Sequence, residues 1–587
     1  MYYSQKVKIP KKGSKVYALK KDKYIYVYYE TGRTYDRKTQ KTSPKRVSIG
    51  KLDDINDTEM WPNEQYLKYF GDNVEEVEKE VVHKMDASVK AGTMMLLDRI
   101  VEEYGMKERL VDIGLSSSKA DLLLDVASYM IIENSNVAQH YEGYAYNHVL
   151  FDEDNHGYSD STIGRLFGKD LDDNYITNFT NAWCGRKDKD SPIYISYDST
   201  NKNCQSGDIL IAEYGHAKDD ADKPIINYSM AYDCTNSEPL FYELYPGSIN
   251  DVVQLSSMIE KASSYKFKKL RFILDRGYFS EENFKEMRAN DYEYLIMFKN
   301  DRTREFSRSM IDKARGTFED RSRNYSNAYR NFGTTVHGSF LGMDHWIHIY
   351  FSQERKSCAM TQIMQDVADA EKYLIANTGK RCSLTDDCRK YFDCEMAGGV
   401  LKSWKPANDR IDTMISYCGY FIILSSYETD YREALKLYKS RDVSEKVFRS
   451  DKSFLGNRTM KVESEEVLKG KTFTSFIAQI LRNRMHKHIS TYALSSERKQ
   501  NWMNVEALIE ELEKITLAVG GDGRYRLYNS ISARQKEILS AFGITESNAR
   551  NMIAEMERKL TEARRREGEE LLKNVQDKDA DSDRQED

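Results

Sequence analysis

Long apolar runs are missing from this 587-residue sequence. The most apolar stretch, near Ile415 to Leu424, falls far short of the roughly 20 residues that a membrane-crossing helix needs, so no span is expected. The first residues, MYYSQKVKIPKKGSK, lack the apolar segment of a secretory signal, and none is expected. Cysteine is scarce: eight are scattered along the chain, which argues against a disulfide framework and for reduced thiols in a cytosolic compartment. Internal repeats are absent. An overall excess of one charge is absent too, since 88 basic residues stand against 94 acidic ones for a net charge of −6. That balance neither demands nor excludes a nucleic-acid partner.

Charge distribution says more than the sum. The first 51 residues hold 15 lysines and arginines against only Asp22, Glu30 and Asp36, whereas Asp577 to Asp587 is strongly acidic. A polyanionic partner is expected at the N-terminal end. The length suits roughly three to five domains, and 40% apolar content supplies their cores.

Residues 1–60 alternate in strand fashion, with Tyr24 to Tyr29 as a β-rich run and Arg46 to Gly50 as another. Basic residues interleaved with tyrosines suit phosphate contact plus stacking, so a small basic β-rich DNA-binding domain is expected, with Lys45 and Arg46 among its contacts. A sheet with a merely solvated lysine face is the plainer alternative. Residues 85–190 turn helical: Met94 to Tyr104 and Ala120 to Ile132 carry apolar residues at helical spacing. This helical domain is either a further DNA-binding unit or a scaffold.

The texture changes to mixed α and β over 191–300. Strands are expected at Tyr194 to Asp198, Ile225 to Asp233, Leu240 to Tyr245, Leu270 to Asp275 and Tyr294 to Phe298. Helices are expected at Val252 to Ala262 and from Ser280 onward. Residues 301–410 interrupt this pattern as a β-rich insertion. Cys382, Cys388 and Cys394 within it are spaced poorly for zinc. The α/β pattern resumes over 411–495 with the apolar strand Tyr417 to Leu424. Residues 496–575 are helical and suit dimerisation, and 576–587 read as an acidic disordered tail.

Three carboxylates stand out by context. Asp198 and Asp275 are expected where apolar strands end, the crevice position at which open α/β sheets bind ligands. Glu445 lies on the helix after the next apolar strand. Together they would repel one another unless cations or protons intervene. Hard divalent ions suit such a site, and two of them support phosphodiester chemistry. Around Glu445, a continuous helix places Tyr438, Arg441, Glu445 and Lys452 on a stripe roughly 60° wide. A solvated face with local charge pairs is the competing reading of that stripe.

This stretch resembles the Y-(2)-R-(3)-E-(6)-K signature of the IS4-type DDE transposases. Tyr197-Asp198-Ser199-Thr200 and Asp275-Arg276-Gly277-Tyr278-Phe279-Ser280 resemble that family's first-Asp and second-Asp blocks. The R-x-S-I-G-K-L stretch from Arg46 to Leu52 is similar to the IS1634 branch. The resemblance implies an RNase H-like mixed sheet with flanking helices, interrupted by the insertion. It implies Asp198, Asp275 and Glu445 as ligands of two Mg²⁺ ions, with Mn²⁺ as a substitute. Tyr438, Arg441, Lys452 and Arg276 are then expected at DNA phosphates, and Trp346 or Trp404 at a flipped base. Ser444 and the Lys469-Gly470-Lys471 stretch depart from the family pattern. The implied function is cleavage at the terminal inverted repeats of an insertion sequence and joining of 3′-OH ends to target DNA. The expected partners are double-stranded DNA and a second copy of the chain in a synaptic complex, with no membrane, in a prokaryotic cytoplasm at the nucleoid. A nuclease without strand transfer, or a DNA-binding regulator that no longer cuts, are the alternatives.

Overall fold

The structure is a computed structural model. It describes residues 6–11, 15–21, 24–36, 41–70, 88–187, 192–204, 206, 208–249, 251–265, 267, 269–298, 304–319, 324–497 and 503–583. The alternating N-terminal residues form an antiparallel sheet of β1 (Val7–Lys8), β2 (Val16–Lys21), β3 (Tyr24–Asp36), β4 (Lys41–Leu52) and β5 (Glu59–Pro62), in the order β1-β5-β4-β3-β2. Period-two alternation sends Val27, Ile49 and Leu52 inward, where they meet Met60 and the helix Glu64–Phe70 through Tyr66 and Phe70.

β6 (Ser88–Lys90) opens the helical region, followed by helices Gly92–Tyr104, Met106–Ile113, Ser117–Glu133 and Asp173–Gly185. Ser117–Glu133 is apolar on most sides and buried from Ala120 through Ile131. Its partner comes from far down the chain: the 31-residue helix Glu465–Ser495, itself buried along most of its first half. β6 also pairs with the strand Thr516–Val519, and Leu508, Leu512 and Ile538 join the same core as Leu97 and Leu123. The described residues of 85–190 and 496–575 therefore share one core around helix Glu465–Ser495, although nothing in either stretch alone announces the other.

The large sheet is mixed. β7 (Ile193–Cys204), β8 (Ile225–Asp233) and β9 (Glu238–Pro246) form an antiparallel meander. Helix Asp251–Ser264 then returns the chain to β10 (Leu270–Leu274), parallel to β7. Helix Glu281–Ala289, capped by Ser280 accepting from the Asn283 N–H at 3.1 Å, leads to β11 (Glu293–Met297), parallel to β10. β12 (Tyr325–Ser326), β13 (Asn331–Phe340) and β14 (Met343–Phe351) extend the same sheet, with β17 (Tyr420–Ser425) bridging β14 to β11. Between them β15 (Phe392–Ala397) and β16 (Val400–Pro406) form a separate hairpin. That hairpin packs with helix Gln353–Asn377 and helix Asp386–Tyr391 around Leu374, Tyr391, Phe392 and Leu401. The expected β-rich insertion is thus divided. Its longest hairpin belongs to the main sheet, and a largely helical subdomain stands apart. No helix among the described residues is long and apolar enough to cross a membrane.

Candidate active site at Asp198 and Asp275

Hydrogen-bond register creates the site. β7 and β10 run parallel with Ile273 opposite Ser196 and Leu274 opposite Tyr197. One residue further, Asp275 stands beside Asp198. Side chains alternate along each strand, so Ser196, Asp198 and Lys202 share one face, and Ile273 and Asp275 share that same face. Asp275 lies just past the end of β10, as the sequence suggested. Asp198 does not end its strand: β7 continues through Ser199 to Cys204. These polar residues stay in the sheet because β8 pairs with them on one side and β18 (Thr459–Met460) on the other. The loop 215–223 is pinned against them as well. Asn201 Nδ2 donates to the His216 carbonyl (2.8 Å), Asn203 Nδ2 to the Asp220 carbonyl (2.9 Å) and Lys218 Nζ to the Ser199 carbonyl (2.8 Å).

The helices that cover this face are two, not one. Tyr431–Ser440 and Asp442–Phe454 meet at Arg441, whose N–H turns back to the Tyr438 carbonyl at 3.2 Å. This tight i to i−3 step breaks the single stripe expected over 438–452, so Tyr438 belongs to the first helix and Glu445 and Lys452 to the second. The first helix packs Ala434, Leu435 and Tyr438 against Ile273, Leu295 and Ile423. The second is anchored by charge: Lys202 Nζ lies 2.7 Å from Asp451 Oδ2, with both side chains essentially inaccessible. Asp451 Oδ1 also accepts from Gln479 Nε2 (2.6 Å) and Asn457 Nδ2 (2.8 Å). A buried pair of this kind costs desolvation on both partners; the amides of Gln479 and Asn457 offset part of it at Oδ1, while Lys202 Nζ and Asp451 Oδ2 are held by the ion pair alone.

At the junction, Arg441 reaches both acids. Its Nη1 is 3.7 Å from Asp198 Oδ2 and 3.8 Å from Asp275 Oδ2. The Tyr438 hydroxyl donates to Asp275 Oδ1 at 3.1 Å, and the Arg276 N–H donates to the same oxygen at 2.7 Å. Burial, and then the neighbouring Asp275 charge, push the Tyr438 phenol well above its ordinary pKa. It therefore stays a protonated donor. Burial also pushes Asp198 up to about 6, with Asp275 adding to the rise, while the Ser199 N–H, Arg441 and Lys218 pull the other way. Two carboxylates that repel each other are thus balanced by a guanidinium.

The remaining expected positions scatter. Lys452 is bound to Asp219 at 2.6 Å, and Arg458 comes within 4.0 Å of that same carboxylate. The Arg276 side chain is exposed next to Asp275, and Lys45 and Arg46 are exposed on β4 of the N-terminal sheet. Trp346 pairs with Ser425 at the end of β17 that lies opposite Asp275, packed against His337 at 5.0 Å. Trp404 is on the separate hairpin, edge-on to Phe392 with its Nε1 donating to Thr378 at 3.0 Å. Neither tryptophan is brought to the two acids by the sheet. Glu445 lies on helix Asp442–Phe454, but its side chain is outside the described residues.

Among the described residues, no group of three His, Cys, Asp or Glu side chains is placed to hold a metal ion. Asp198 and Asp275 make a pair of hard oxygen donors facing one shared cation, which is the donor chemistry a divalent ion needs. Sequence reasoning missed Lys202, Asp451, Lys218 and Asp219. A lysine inside T-N-K-N-C carries no periodic signal of burial, and loop 215–223 (G-H-A-K-D-D-A-D-K) reads as an ordinary charged surface loop.

Residues 194–481 match the family model described as the transposase DDE domain. The match spans just under half of the chain and includes Asp198, Asp275 and Glu445. No curated protein matches the chain. Among solved structures, the chain is similar to the cryo-electron microscopy structure of a piggyBac transposase synaptic complex with hairpin DNA. That likeness has 10% identity and a TM-score of 0.27, over 66% of this chain and 60% of that one.

Proposed function

We propose that this protein is a DDE transposase whose acids are Asp198, Asp275 and Glu445. The observation that carries the reading is the register that sets Asp198 beside Asp275 on one face, inside a segment matching the transposase DDE domain. The helix bearing Glu445 is docked on that face by Lys202 and Asp451. On this reading β9-β8-β7-β10-β11 is an RNase H-like sheet, and the chain belongs with the IS4-type enzymes of the IS1634 branch.

Asp198 and Asp275, with Glu445, would hold two Mg²⁺ or Mn²⁺ ions. When bound, such ions supply Lewis acidity to an attacking oxygen and a leaving oxygen. The chain's own residues do the rest. Tyr438 fixes the Asp275 carboxylate through its hydroxyl, and Arg441 keeps the two acids compatible until a cation arrives. Released from the acids, Arg441 has the planar fork to hold a DNA phosphate, with the exposed Arg276 next to Asp275 and Lys452, once freed from Asp219, as further phosphate contacts. Lys45 and Arg46 contact DNA phosphates at the N-terminal sheet. Substrate ends are the terminal inverted repeats of an insertion sequence, held by a homodimer in a prokaryotic cytoplasm.

The test is incubation of the full chain with Mg²⁺ and a duplex carrying the DNA that flanks its reading frame, plus a supplied target. Cleavage at the element boundary followed by joining to the target is expected. Cleavage without joining would reassign the protein as a nuclease. Binding without cleavage would reassign it as a regulator.

A further inference from the structure

The outer face of the N-terminal sheet carries a row of tyrosines that its core does not use. Along β3, Ile25, Val27 and Tyr29 turn toward the core cluster, so Tyr24, Tyr26 and Tyr28 turn away from it. Their ring centres lie 6.2 and 6.4 Å apart in sequence, and Tyr17 of β2, opposite Tyr28 in register, adds a fourth ring at 6.3 Å. All four are half-exposed. Cations sit on the same face: Lys51 Nζ is 4.3 Å from the Tyr24 ring centre and the Arg46 guanidinium 5.1 Å from that of Tyr28. The acids nearby are already engaged, Glu30 by Arg33 at 2.8 Å and Asp53 by Lys6 at 2.8 Å.

Tyrosine rows are good strand formers, and ring contacts across strands stabilise a sheet. That accounts for the rings but not for cations centred over them. We propose that this face binds unpaired nucleotides of a DNA strand, with bases stacked on Tyr17, Tyr24, Tyr26 and Tyr28 and phosphates at Arg46 and Lys51. Width decides against an intact duplex. Three strand spacings from β2 to β5 span about 14 Å at about 4.8 Å each. A face that broad does not enter a major groove about 12 Å wide. Bases reach a flat aromatic sheet only when unstacked and splayed from their partners.

The inference rests on the reading that the N-terminal sheet contacts DNA, and deepens it from duplex to single strand. The experiment measures fluorescence anisotropy of a labelled 20-nucleotide mixed-sequence oligonucleotide and of its duplex against the full chain in EDTA. Tyr26→Leu and Tyr28→Leu should each weaken single-strand binding about tenfold or more. Tyr26→Phe and Tyr28→Phe should bind and melt as the parent does, and the Leu variants should stay folded with only the small loss of stability that a missing cross-strand ring contact brings. Equal losses for strand and duplex, or none, would overturn the proposal. So would preferential binding of an acidic peptide with the sequence of residues 577–587, which would give the face to the chain's own acidic segment. Lys45→Ala with the duplex tests the underlying reading separately, since Lys45 lies outside the tyrosine row.

Discussion

Asp198 and Asp275 and the helix pair above them are held in place by different physics. The two acids are set by backbone register between β7 and β10, which no single side chain controls. The helices over them are set by side chains: an apolar patch around Leu435 and Tyr438, and the buried Lys202–Asp451 pair. Substitution at the strand pair should therefore alter chemistry and spare the fold, whereas substitution at the helix anchor should alter both.

The largest effect tests the strand side. Asp198→Asn or Asp275→Asn should lower Mg²⁺-dependent strand cleavage by at least about a thousandfold, since metal stabilisation is worth several kcal/mol and about 1.4 kcal/mol is tenfold. Melting curves should be unchanged or raised, because a neutral side chain relieves the burial that pushes Asp198 to about 6. A cooperative loss of stability in either variant would break the contrast.

The helix anchor comes next. Lys202→Met should cost about 3–5 kcal/mol by leaving the buried Asp451 carboxyl without its cation. Asp451→Leu combined with Lys202→Met should recover much of that loss in denaturant titrations. Additive losses in the double variant would show that the pair does not act as a unit.

A smaller effect sits where the two regions meet. Arg441→Gln should raise Mn²⁺ affinity without DNA by roughly tenfold, read by electron paramagnetic resonance titration, because a cation about 4 Å from both carboxylates competes with the metal. It should weaken binding of DNA ends at the same time. Unchanged metal affinity would remove Arg441 from its bridging role.

A separate effect, read as a pH slope, lies away from both. Burial pushes Asp125, in helix Ser117–Glu133, up to about 8 despite accepting N–H groups from Phe151 and Asp152. Between its unfolded value near 4 and about 8, the folded chain keeps a proton that the unfolded chain releases. Its contribution to stability therefore falls as pH rises through that window and levels off above it. Asp125→Asn should flatten the fall in melting temperature between pH 5 and pH 8.

Legibility followed the same divide between local pattern and distant partner. Asp275 could be found because an apolar run, L-R-F-I-L, ends directly before it, and Ser280 announced the helix that follows. Asp198 was found on its strand, but the strand's length was not. Ser199 to Cys204 look like a loop until loop 215–223 and β18 satisfy their polar groups. Spacing alone predicts a continuous helix stripe, because it does not register the tight turn at Arg441. The division of the 301–410 stretch was hidden because β14 pairs with β17, about 70 residues onward, a choice that no window of local sequence records. Lys202 was invisible for the same reason, since its partner Asp451 is brought to it only by the fold.

One measurement bears most directly on the central claim: cleavage of a duplex containing the reading frame's flanking DNA, in Mg²⁺ and in EDTA, by the parent chain and by Asp198→Asn, Asp275→Asn and Glu445→Gln. The account predicts cuts at the element boundary in Mg²⁺ alone, lost in all three variants while end binding persists. Boundary cuts that survive in any of the three, or that proceed in EDTA, would contradict it.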